Sequence, residues 1–176
     1  QGWQDGGNLL MAGFISPHHP FDPPAPWDTM YDPEQIAMPR GWTESAAPRD
    51  SGFQPGYFPN ADLTEAQVRR ATAFYYATIS QIDRHVGRMV DSLKARGLYD
   101  DTVIVYTADH GDYMGFRHLM LKGGYMYDPV VKVPLIIKHA GSARRGEVDD
   151  SLVSNVDMAP TLLAMGGCAT PETMAG

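Results

Sequence analysis

Asp109 and His110 stand side by side in the run Ala108-Asp109-His110-Gly111-Asp112, and together they offer a carboxylate oxygen and an imidazole nitrogen to one divalent cation. A capped turn is the other use of the same residues, because Gly111 lets the backbone bend sharply and approach a ligand closely. Lys122, followed by Gly123 and Gly124, presents an ammonium as a point charge for an anionic oxygen, or stands solvated before the bend. His18 and His19 sit in the stiff setting of Pro17-His18-His19-Pro20, where an imidazole protonates a leaving group or bonds a carbonyl oxygen. His118, four residues before Lys122 in the same loop, suits a ligand contact or a structural place equally. His85 and His139 read as structural.

Composition narrows the partners. The chain of 176 residues carries 14 Lys+Arg against 21 Asp+Glu, a net charge of −7, so it lacks the basic stripe of a phosphate-backbone binder and no nucleic-acid partner is expected. The longest apolar run, Leu9 to Ile15, is interrupted by Gly13 and falls far short of the ~18 residues of a membrane span. A single cysteine, Cys168, rules out a disulfide framework. The length suits one domain.

The elements that must position these groups follow from spacing. Ten of the 14 prolines fall between Pro17 and Pro59, so residues 17–60 hold neither a long helix nor a central strand. Trp27, Tyr31, Trp42, Phe53, Tyr57 and Phe58 predict an ordered loop pinned by its rings. A long helix is expected over 64–96. Thr64-Glu65-Ala66-Gln67 fits a capping box, and Val68, Ala71, Tyr75, Ile79, Ile82, Val86, Met89 and Leu93 recur at helical period until Gly97 stops the run. Residues 102–108, from Thr102-Val103-Ile104-Val105-Tyr106-Thr107, read as a buried strand that ends in the Asp109 element. Val133 to Ile137 reads as a second strand and Leu9 to Ser16 as a weaker third, while Asp157 is placed to cap a helix from Met158 to Met165. The pattern predicts an α/β fold, a mostly parallel sheet flanked by helices, with a right-handed crossover joining the Leu9 and Thr102 strands. Ligands in such folds gather beyond the carboxyl ends of the strands, where the histidines and Asp109 fall.

Six blocks in this order resemble the sulfatase family of the alkaline phosphatase superfamily. They are Pro17 to Pro24, Ile82-Asp83-Arg84-His85-Val86-Gly87 through Gly97 to Thr102, Thr107 to Gly115, Leu121-Lys122-Gly123, Val133 to Ile136, and Asp157 to Leu163. The likeness implies an alkaline-phosphatase-like fold and hydrolysis of a small-molecule or carbohydrate sulfate ester. By position it implies that Asp109 is a ligand to a divalent cation, usually calcium, with His110 in the next ligand position. Calcium prefers oxygen, so His110 either contacts the sulfate or signals another ion such as magnesium or manganese. Lys122 matches the lysine on the sulfate oxygens, and His18 the histidine that protonates the departing alcohol; Asp83 matches a structural position.

The family's nucleophile is a formylglycine made from the cysteine of Cys-x-Pro-x-Arg, or from a serine in some members. Residues 1–176 contain no such element, and Cys168, followed by Ala169-Thr170-Pro171-Glu172, reads as inert. The resemblance therefore implies a partial catalytic domain, its C-terminal part, with the formylglycine and two further metal-binding aspartates expected outside this chain. By itself such a chain is expected to be inactive and, through an open sheet edge, to associate. A phosphonate monoester or phosphodiester hydrolase of the same superfamily shares the Asp-His-Gly element and stands as the alternative, with a non-catalytic binding module as a third reading.

Overall fold

The computed structural model describes residues 7–52, 60–142 and 145–176, so the expectations for Phe53, Tyr57 and Phe58 lie outside the described residues. Its dominant element is helix α1, Glu65–Ala95. Thr64 starts it: the Gln67 backbone N–H donates to Thr64 Oγ1 at 3.3 Å, and the Thr64 N–H donates to Gln67 Oε1 at 2.8 Å. Gly97 ends it in the left-handed region at φ 68°, where the Gly97 N–H reaches the Lys94 carbonyl and the Leu98 N–H reaches Leu93. The buried face is Val68, Thr72, Ala73, Ala77, Thr78 and Ile82. Ile79, expected on that face, is exposed instead.

Those partners are two loops. The first is the proline-rich segment, whose described residues pack on the helix through their rings. Phe21 meets Tyr75 edge-on at 5.6 Å, Tyr31 meets Tyr76 at 5.8 Å, and the Tyr31 hydroxyl lies 2.9 Å from Ser80 Oγ. Arg69 donates to the Ile36 carbonyl from the helix side. The second is the segment after the Asp109 element, which sends Met114, Met120 and Leu121 into one cluster with Leu63 and Val68.

Strand β1, Ile104–Thr107, pairs with β2, Leu135–Lys138. The pairing is antiparallel, with Ile104 opposite Lys138 and Thr107 opposite Leu135. The connection explains it. A parallel neighbour needs a crossover the length of the strand, whereas residues 108–134 contain only a single helical turn, α2 (Asp128–Val131), and fold back on themselves. The Gly111 N–H donates to the Val130 carbonyl at 2.8 Å, which ties both ends of the connection to the same end of β1. Residues 9–16 form no strand; Leu9 and Ile15 are 84% and 89% exposed, and Gly13 removes the side chain that would anchor the centre of the run. The expected crossover from Leu9 is therefore not made here. Helix α3, Met158–Met165, forms where expected, but Asp157 does not cap it: its carboxylate turns back to accept the Ser154 N–H at 2.7 Å. Among the described residues, no helix is long and apolar enough to cross a membrane.

Candidate functional site

Residues 112–122 form a closed loop whose ends are locked together. The Tyr113 N–H donates to the Leu121 carbonyl at 2.6 Å and the Gly115 N–H to Leu119 at 2.7 Å. This clamp sets Asp112 and Lys122, the residues just outside it, beside each other. Met114, Arg117, His118 and Leu121 all have positive φ, between 46° and 64°, so the loop is strained and is held by the core that Met114, Met120 and Leu121 enter.

Asp112 is the centre of the group. One of its carboxylate oxygens, Oδ1, is buried with no hydrogen-bond partner among the described residues. Burial pushes its carboxyl above the usual range, against the opposing charges of Lys122, His110, His19 and His18. His19 responds in kind: burial lowers its imidazole, as do the positive charges of His18 and Lys122, while Asp112 pulls it upward. Below them Tyr75 of α1 is pushed up to about 12, first by burial and then by the Asp112 charge. Phe21, edge-on to the Tyr75 ring, carries the His18–His19 loop to this place. The two imidazoles stack at 4.0 Å, and His18 Nδ1 lies 2.7 Å from the His19 carbonyl oxygen.

Asp109 and His110 extend the group outward. The Asp109 side chain is 88% exposed; its Oδ1 accepts the His110 N–H at 2.9 Å and its Oδ2 lies 3.7 Å from His110 Nε2. His110 Nδ1 lies 3.0 Å from the Gly111 carbonyl, and with that nitrogen donating, Nε2 is left as a ligand atom. Asn155 donates to the Ala108 and Asp109 carbonyls at 3.1 and 3.0 Å and steadies the turn. An open oxygen and nitrogen on one side fit a cation as part of its donor set. Among the described residues, however, no group of three His, Cys, Asp or Glu side chains could hold an ion by itself.

His118 is elsewhere. It is only 2% exposed, packed on the Trp42 ring at 5.0 Å with Nδ1 2.9 Å from the Thr43 carbonyl, so the structure places it in the core and the expected substrate contact is withdrawn. The positive φ of residues 117 and 118 turns the ring inward. Sequence reasoning gave no role to Asp112, although it lies two residues from His110 and a residue-by-residue reading of the Asp-His-Gly-Asp run could have found it. It also missed Asp50. This fully buried carboxylate accepts from Arg117 Nε at 2.7 Å and from the Tyr127 hydroxyl at 2.8 Å, with Arg49 Nε at 3.5 Å, and so fastens the proline-rich loop to the Lys122 loop. No local signal marks Asp50, because its partners are 67 and 77 residues away.

The family model for sulfatases matches residues 4–168. The chain is 33% identical to the multifunctional alkaline phosphatase superfamily protein PehA of Trinickia caryophylli over 96% of its length, and 32% identical to the choline-sulfatase of Rhizobium meliloti over 93%. It covers 36% and 32% of those two proteins, so it spans about a third of the relatives it matches. Among solved structures, the phosphonate monoester hydrolase of Silicibacter pomeroyi superposes with a TM-score of 0.77 at 34% identity, over 93% of this chain and 34% of that one. These matches place the described elements in an alkaline-phosphatase-like α/β fold, and the chain belongs to the sulfatase family of the alkaline phosphatase superfamily.

Proposed function

We propose that this chain supplies part of the active site of a sulfuric ester hydrolase. The observations that support the proposal are the stacked His18–His19 pair, the buried and unpartnered Asp112 Oδ1, and the Tyr113–Leu121 clamp that brings residues 112 and 122 to one end of their loop. A sulfate monoester is a stable anion, and its hydrolysis requires charge to be offset on the non-bridging oxygens and the leaving alkoxide to be protonated. Lys122, held beside Asp112 by the Tyr113–Leu121 clamp, meets a sulfate oxygen as a fixed ammonium. His18, on the exposed side of the imidazole stack, donates the proton to the departing oxygen. Asp109 and His110 would hold a divalent cation, calcium by family likeness, together with ligands from the longer protein, and the ion would offset further negative charge on the ester. The formylglycine nucleophile belongs, on this reading, to the two thirds of the relatives' length that the chain does not span. Alone, the chain is inactive.

A second reading, hydrolysis of phosphonate monoesters or phosphodiesters, is favoured by the likeness to the Silicibacter pomeroyi enzyme. Assay of the full-length parent separates the two. The proposal expects kcat/KM on an aryl sulfate to exceed that on a phosphate diester and a phosphonate monoester, and Lys122→Ala to lower it by about a hundredfold. A preference of several orders of magnitude for the diester would refute the sulfate reading.

A further inference from the structure

Lys122 is followed by Gly123 and Gly124, both exposed, and no other described residue hydrogen-bonds to the backbone of the three. A lysine before two glycines would by itself sweep a wide range of directions, because glycine gives the backbone more freedom than any other residue. The span is nevertheless fixed at both ends, and one residue holds both. We infer that Tyr113 is a positioning residue for Lys122, anchoring the chain on either side of it through its backbone N–H and its phenol oxygen. The inference rests on the ester-hydrolase reading of Lys122 and adds a residue to it.

The first anchor lies just before the lysine. The Tyr113 N–H donates at 2.6 Å to the Leu121 carbonyl, which is one end of the peptide bond to Lys122. Leu121 is itself set: its side chain is buried in the cluster with Val68 and Met120, and its φ of 59° is left-handed. The second anchor lies just beyond the glycines. The Tyr113 hydroxyl donates to the Tyr125 carbonyl at 2.8 Å and accepts the Tyr125 N–H at 3.1 Å, so one oxygen engages both backbone groups of that residue. The Tyr125 hydroxyl donates in turn to the Arg49 carbonyl at 2.8 Å, which ties the same point to the proline-rich loop. Residues 122–124 are thus left between two fixed points.

Tyr113 serves as a post because it is itself immobile. It is 1% exposed, its ring packs with Leu119 and Val130, and the Tyr127 ring meets it at 6.3 Å and 66°. A Cβ on Gly124 would find nothing within 4 Å, so packing does not orient the span there and the two anchors must. The chemistry needs a phenol at this place. Phenylalanine would fill the same space and keep the backbone bond to Leu121, but it would release the far end of the span. A lysine ordered in advance meets the developing charge without a further loss of freedom, whereas a loose one must be ordered at every turnover.

The test is a double-mutant cycle in the full-length parent, run on whichever of an aryl sulfate, a phosphonate monoester and a phosphate diester it hydrolyses fastest. Tyr113→Phe should lower kcat/KM per folded enzyme about fivefold. In the Lys122→Ala background the same substitution should change it by less than about twofold, because the group it positions is gone. The same factor in both backgrounds, or no loss in the single variant, overturns the inference. Thr64→Ala, which loosens only the start of α1, should leave kcat/KM unchanged; an equal loss there would assign the effect to stability and overturn the inference too. If Tyr113→Phe does not fold, one glycine inserted after Gly124 keeps both anchors, slackens the span and is carried through the same cycle with the same outcomes. Full activity of Lys122→Ala alone refutes the reading of Lys122, and so separates that failure from a failure of Tyr113.

Discussion

Asp50→Asn tests whether the two loops are joined as described. The substitution keeps volume and one acceptor but removes the charge that Arg117 Nε approaches at 2.7 Å and the Tyr127 hydroxyl at 2.8 Å. Removing one partner of a buried pair costs about 3–5 kcal/mol. The Arg117 side chain is 35% exposed, so water takes up part of its charge and the lower end applies. At about 2–4 °C per kcal/mol for a domain of this size, a loss of about 3 kcal/mol lowers Tm by about 6–12 °C. A second signature is acid sensitivity. Burial alone would raise the Asp50 carboxyl, but hydrogen bonds from Arg117 and Tyr127 and the charges of both arginines outweigh it and hold the group below its ordinary value of 3.8. A depressed folded pKa gives stability that is present above the unfolded value and lost as pH falls through the folded one. Wild type should therefore lose more stability than Asp50→Asn below about pH 4. Thermal melts followed by circular dichroism, at neutral pH and through the acid range, measure both. A fall in Tm of less than about 2 °C, or acid profiles that superimpose, would refute the argument.

Four further outcomes are expected. At Gly111 a Cβ would sit 2.0 Å from the Pro129 carbonyl oxygen, so Gly111→Ala must move backbone; it should cost about 1–3 kcal/mol in a urea titration. Gly124→Ala, with nothing within 4 Å, should stay within about 0.5 kcal/mol. Thr64→Ala removes the acceptor of the α1 capping box and should lower stability by about 1 kcal/mol in the same titration. Asp109→Ala in the full-length parent should weaken calcium binding in a calorimetric titration by at least about tenfold; unchanged affinity would remove Asp109 from the donor set.

Much of the local structure was legible because its causes are local. The Thr64–Gln67 box and the Gly97 stop bracket α1 within a few residues, and β1 and β2 follow from β-branched runs. The direction of pairing was not, because an apolar, β-branched run carries no sign of which way its neighbour runs. That is set by the Gly111–Val130 bond, which turns the chain back before β2. The Leu9 to Ser16 run shows the same limit from the other side: its apolar residues satisfy a strand pattern, yet a strand forms only where a partner edge meets it.

The site divides along the same line. His18, Asp109, His110 and Lys122 were visible as residue types in suggestive runs, and the structure pairs Asp109 with His110 and stacks His18 on His19. His118 has the same chemistry and lies four residues from Lys122, yet left-handed backbone at 117 and 118 turns it into the core against Trp42. Spacing along a chain cannot reveal that turn, since four residues bring two side chains together only in a helix. What converts scattered candidates into a site is a pair of loops stapled at two points. The Tyr113–Leu121 clamp brings the backbone of residues 112 and 122 together, and Asp50 ties the proline-rich loop to Arg117 and Tyr127. If these staples position the chemistry, loosening Asp50 should reduce turnover in the parent at a temperature where the variant is still folded. The effect should fall on kcat/KM for every ester alike.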